Sequence, residues 1–177
     1  MKRLISSILL SFLILLPLSA YAVKGTVDVT PSGGLAYAAT YGVGTPLWTQ
    51  ASAVQNTYYL VTAAAMVEGP LRDMTTDGSG KITATYAGTY LIRMGISMEN
   101  SGTSKHNEYG ISINGATPVM TQIEFFFASS QEQHGSLARI ITLTAGQTIE
   151  LAIRTPDTGT PNLIVDNLSI IVVLIGL

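Results

Sequence analysis

The side chains able to do chemistry are few and scattered. The chain holds no cysteine and two histidines. Thiolate nucleophiles, disulfides and cysteine-ligated zinc are therefore excluded at once. His106 and His134 sit in polar stretches with no His, Cys or carboxylate at metal-ligand spacing, so both read as solvated loop residues. Glu99 with Glu108, or Glu124 with Glu132, are the pairs that could serve as acid and base in glycoside hydrolysis. Spacing alone gives no reason to prefer them over surface carboxylates. No Gly-x-Ser-x-Gly elbow leads into a helix, which leaves a hydrolase serine unsupported. Asp73 and Asp77 beside Gly78 resemble a loose calcium loop, but the alternating ligands and distal Glu of such a loop are missing, and a plain turn is the better reading. Asn167-Leu168-Ser169 is formally a glycosylation sequon, placed where a buried strand is expected. The inventory predicts a protein that is not an enzyme and uses no cofactor or metal.

The elements that must position these residues begin with an export leader. Met1-Lys2-Arg3 is a short positive stretch, Leu4 to Leu18 is almost unbroken in its apolarity, and Ala20-Tyr21-Ala22 is a small-x-small cleavage pattern. That order is the secretory signal architecture. The apolar run falls short of the ~20 residues that span a bilayer, so we read residues 1–22 as a cleaved signal peptide. Export to the periplasm, the outer surface or the medium is expected. Lys2 and Arg3 leave with the leader, making the mature chain more acidic than the formal −2 of the whole. This argues against a phosphate-binding surface and hence against nucleic acid as a partner. Hydrophobic residues make up 47% and charged residues 11%. So few charges call for a surface rich in Thr, Ser and Asn, or for a large buried interface.

Beyond the leader no stretch carries a capped, charged, 3.6-period pattern. Short runs rich in Thr, Val, Ile and Tyr alternate with Gly, Asn, Asp and Pro clusters, the rhythm of an antiparallel sandwich or barrel. Residues 23–45 are light in bulky side chains and read as a short strand near Thr26–Thr30 followed by an extended lead-in. The compact domain is placed at residues 46–177, opening at Pro46-Leu47-Trp48. Strands are expected over 58–66, 81–86, 89–98, 109–113, 119–127, 137–143, 148–153 and 163–175, with a polar loop over 99–105. Asp77-Gly78-Ser79-Gly80 and Asn114-Gly115 are the strongest turn signals. This predicts an all-β, two-sheet antiparallel jelly-roll sandwich of about ten strands.

The last strand carries the clearest functional hint. Leu168 and 170–175 leave both faces of one strand apolar, whereas an antiparallel strand with one wet face alternates. One face enters the core; the other needs a second cover. A subunit interface would supply it, contributing several kcal/mol per chain at ~25 cal/mol per Å², and the bland alternative is cover by the chain's own loops. We favour the interface, with Ile171, Val173 and Ile175 as candidates. Phe125-Phe126-Phe127 poses the same question. Phe125 and Phe127 share one strand face while Phe126 takes the other, so core plus interface is the natural pairing. Phe125 and Phe127 join the candidate interface.

The region from Ile82 to Leu177 resembles the globular heads of tumour necrosis factor and complement first component. Gly88-Thr89-Tyr90 matches a Gly-x-Tyr strand opening, and Ile111-Ser112-Ile113-Asn114-Gly115 a central strand ending in Asn-Gly. Leu143 through Gly146 to Leu151 matches Leu-x-x-Gly-x-x-x-x-Leu, and the family also ends on an apolar strand. Gln147 stands where the family usually has an acid, and Leu168-Ser169-Ile170 replaces its aromatic-x-Gly. The resemblance, to a bacterial or phage-derived member, implies a jelly roll that assembles as a homotrimer around its C-terminal strand and binds proteins or surface ligands without catalysis. The expected function is a secreted structural, adhesive or ligand-binding module that displays its loops to a partner. A lectin-like glycan-binding domain is the alternative, with Trp48, Tyr41 and the loop Thr155 to Asn162 as candidates.

Overall fold

The computed structural model describes residues 35–63, 66–101, 105–116, 120–127 and 131–177. The leader at 1–22 and the strand expected near Thr26–Thr30 lie outside the described residues. Among those described there are eleven strands and no helix. They are β1 (Tyr37–Gln50), β2 (Tyr59–Leu60), β3 (Val67–Arg72), β4 (Met74–Thr76), β5 (Ile82–Ala84), β6 (Gly88–Ser101), β7 (Lys105–Ile113), β8 (Met120–Phe127), β9 (Gln133–Leu143), β10 (Thr148–Arg154) and β11 (Asn162–Gly176). All pairings are antiparallel. The first sheet has the order β3-β1-β11-β6-β9, and the second β4-β5-β10-β7-β8, with β2 also paired to β10.

The chain alternates between sheets along β8, β9, β10 and β11, so each inner face is built from strands distant in sequence. From the first sheet Tyr90, Ile92, Met94, Leu168, Ile170 and Val172 point inward, fully or almost fully buried. From the second, Tyr109, Ile111, Ile149, Leu151 and Ile153 meet them. Burying each such side chain stabilises by roughly 1.5–3 kcal/mol, and this two-layer core holds the sandwich together. Burial alone pushes the Tyr109 hydroxyl up to about 12.

The turns follow their residues. Asn114 and Gly115 both take positive φ, 55° and 69°, and the Ala116 N–H donates to the Ile113 carbonyl at 3.1 Å. That is the primed turn which Asn-Gly favours. Between β4 and β5, the Asp77 carboxylate accepts hydrogen bonds from the Ser79 N–H and hydroxyl and from the Lys81 N–H. Partial burial works to raise its pKa, but these hydrogen bonds outweigh it and hold the carboxyl below its ordinary range. The carboxylate closes the hairpin, as a plain turn requires.

Three expectations need correcting. Strand β1 runs straight through residue 46, where the compact domain was placed, and starts at Tyr37. The Gly-, Ala- and Thr-rich segment pairs because β3 and β11 supply ladders on its two sides, and its small Ala36 and Ala38 fill tight core positions. Pro46, which has no N–H to give a ladder, falls in a register shift between Val43 and Trp48. The run at 58–66 forms only the short β2. Beyond it the Val61 N–H donates to Leu151 and the Ala63 N–H to Ser79, so the segment crosses the sheet end instead of extending along it. The polar stretch from Glu99 is not all loop, since β6 continues to Ser101 against the long β11.

Candidate functional site

Each strand of the first sheet sends alternate side chains inward and outward. The outward positions line up in register across β1, β11, β6 and β9. One row is Tyr37, Val173, Leu91 and Ile140, apolar from end to end; the next is Ala39, Ile171, Arg93 and Ala138. Then come Tyr41, Ser169, Gly95 and Ser136, followed by Val43, Asn167, Ser97 and His134. Tyr37, Tyr41, Val43, Ile140, Ile171 and Ile175 are exposed, Ile140 to 62% and Ile171 to 43%. Together they make a contiguous apolar patch on the outer side of the sheet. The small side chains of the third row leave a hollow of about 420 Å³ walled by Tyr41, Val43, Ser97, His134, Asn167 and Ser169. A smaller one of about 140 Å³ continues it beside Arg93, Ser136 and Ile171.

One end of this face is acidic. Asp166 is the extra residue of a bulge in β11, between the pairs Val165 with Met98 and Asn167 with Ser97. It is 6% exposed, and its Oδ1 has no hydrogen-bond partner. Glu99 pairs across the ladder with Ile164, and Glu132 accepts a hydrogen bond from the Ser97 hydroxyl. Burial first, then the neighbouring Glu99 and Glu132 charges, raise the Asp166 carboxyl above its ordinary range.

The outer side of the second sheet is different in kind. Arg154 binds Glu108 at 2.7 Å and lies over the Tyr58 ring at 4.7 Å. Lys81 lies 3.6 Å from the buried Glu150, and His106 contacts Asp157 through both its ring and its backbone N–H. Each of these described charges has a partner within the chain.

Of the candidate interface residues, the structure brings Ile171, Val173 and Ile175 together on the outer face of β11. Phe125 and Phe127 lie on β8, an edge strand of the other sheet, where they pair with Asn107 and Lys105; their side chains are outside the described set. Tyr37, Leu91 and Ile140 were missed as row partners of Val173. The strand alternation around Tyr90 and Ile92 already placed Leu91 on the opposite face, but the rows across strands depend on register. Glu99 and Glu108 do not converge: Glu99 is on the first sheet and Glu108 on the second, bound to Arg154, while the side chain of Glu124, the proposed partner of Glu132, is outside the described set. Among the described residues no group of three or more His, Asp or Glu is placed to hold a metal ion. Trp48 is half-buried against the core, while Tyr41 faces the larger hollow. Among the described residues no helix is long and apolar enough to cross a membrane.

No family model matches the chain, and no curated protein matches it in sequence. Solved structures do match in shape. Eiger TNF from S. frugiperda superposes with a TM-score of 0.53 at 13% identity, covering 82% of this chain and 94% of that one. The globular domain of zebrafish complement 1qA gives 0.50 at 16%, covering 79% and 97%. Murine APRIL at pH 5.0 gives 0.53 at 10%, covering 80% and 100%. At such identities the likeness is one of fold, and the chain is an all-β jelly roll with the architecture of tumour necrosis factor and complement globular heads.

Proposed function

We propose that this protein is an exported, non-enzymatic module that associates as a homotrimer through the outer face of its first sheet and displays its loops to a surface or protein partner. The observation that carries the reading is the unbroken apolar row of Tyr37, Val173, Leu91 and Ile140, flanked by the exposed Ile171 and Ile175. Such a row has no use on a free surface and resembles half of a core awaiting its other half. The described charges of the second sheet, by contrast, are paired within the chain. The jelly-roll likeness and the leader at residues 1–22 support the same role. Light scattering of the purified protein at micromolar concentration tests it: a mass of three chains is expected, and a monomer would overturn it.

A glycan-binding reading draws on one observation, the hollow of about 420 Å³ bordered by Tyr41, His134, Asn167 and Ser169. An aromatic ring beside hydroxyl, amide and imidazole groups suits a sugar. Binding on a glycan array, lost in Tyr41→Ala, would favour it; a silent array would discount it.

A further inference from the structure

The apolar face has one charge in its middle. Arg93 is exposed on β6, with Ile171 across from it on β11 and Ala138 on β9. Among the described residues its guanidinium has neither an ion pair nor a hydrogen bond. If a second copy covers this face, the guanidinium loses its water, and a buried cation without an anion is strongly unfavourable. The covering surface must therefore bring a carboxylate.

The acidic side chains narrow by elimination. Among those described, Asp73 is beside Arg72, Asp77 and Glu150 share Lys81, Glu108 holds Arg154, and Asp157 holds His106. Glu68 receives the Thr76 hydroxyl on the edge strand β3. Glu68, Glu99, Glu132 and Asp166 are the described carboxylates left without a cation; Glu68 stands on the edge strand, and the other three gather at the bulged end of the same sheet. Asp166 is buried, with an unpartnered oxygen, and feels the charges of the other two. Their mutual repulsion is not relieved by any described cation of the same chain. Arg93 cannot relieve it from within, because about 20 Å of extended β6 separates it from Glu99.

We propose that Arg93 of one copy docks between Glu99 and Glu132 of a neighbouring copy, the charge pair that sets the register of the assembled faces. The inference rests on the trimer reading and deepens it. In a closed trimer every contact is heterologous, so the centre of one face meets a different part of the next subunit. The hollow beside Arg93, Ser136 and Ile171 leaves room for an incoming side chain. Arg presents a planar fork suited to two carboxylates, and a rim of apolar contacts keeps the pair dry.

The test is a charge swap read by sedimentation velocity on the whole protein, with circular dichroism to confirm folding. Arg93→Glu, at an exposed position, leaves the spectrum unchanged and weakens association on the order of 30-fold or more. Glu99→Lys with Glu132→Lys does the same. Combining all three substitutions restores most of the association, because the pair is re-formed with its signs reversed. A wild-type trimer that is indifferent to Arg93→Glu, or a triple variant worse than either parent, overturns the ion pair and leaves the trimer standing. A wild-type monomer overturns both.

Discussion

Two consecutive residues of β11 allow the two roles of that strand to be separated in one experiment. Ile170 is fully buried and points between the sheets, whereas Ile171 points out of the first sheet and is 43% exposed. Ile170→Ala removes the side chain from a packed core that includes Ile92 and Met94. Deletions of this kind cost about 2–5 kcal/mol, the transfer free energy plus the cavity left behind. At about 2–4 °C per kcal/mol for a chain of this size, the thermal midpoint should fall by roughly 4–20 °C. That loss belongs to the folded subunit and should persist at any protein concentration. Ile171→Ala removes the same atoms from a surface already half wet in the isolated chain, so its cost to subunit folding should stay below about 1 kcal/mol. Its effect should appear in association: a melt whose midpoint drops on dilution more steeply than the wild type's. Circular dichroism melts over a concentration series would measure both. If Ile171→Ala destabilises as much as Ile170→Ala, with no dependence on concentration, the outer face is covered within its own subunit and the interface argument fails.

Other outcomes follow from particular contacts. The Asp166 carboxyl has its folded-state pKa raised, so it adds no penalty below the ordinary carboxylate range and loses stability as pH rises through the folded value. Asp166→Asn should therefore stabilise near neutral pH by about 1–3 kcal/mol, with the gain vanishing in acid; urea titrations at several pH values would show it. A Cβ at Gly88 would stand 2.5 Å from the Gly176 carbonyl oxygen and 2.6 Å from Leu174 Cδ1. Gly88→Ala should accordingly force β6 and β11 apart and cost about 1–3 kcal/mol, seen as a lower midpoint and faster amide exchange at that end of the ladder. The exported protein should begin at Val23, which intact-mass measurement would reveal; an N-terminus at Met1 in the exported form would remove the leader from the account.

The sequence by itself determined the class of structure. Alternation of Tyr90, Ile92 and Met94, the Asn114-Gly115 turn, the Asp77-Gly78 hairpin and the absence of any helical period are local facts, and local physics suffices to read them as strands and turns. The two-faced tail was legible for the same reason, since a strand apolar on both sides states its need for two covers without any knowledge of its neighbours. The tertiary structure decided what lies beside what. Pairing of Tyr37 with Val173, of Val173 with Leu91 and of Leu91 with Ile140 is set by ladder register between strands far apart in the chain. No single strand encodes its own register. The same holds for β1, whose Gly and Ala residues are poor strand formers alone and are held by hydrogen bonds from both flanks. It holds also for the charges. Only the fold shows that Glu108 is neutralised by Arg154, while Arg93, Glu99 and Glu132 stand on one sheet with no oppositely charged partner among the described residues.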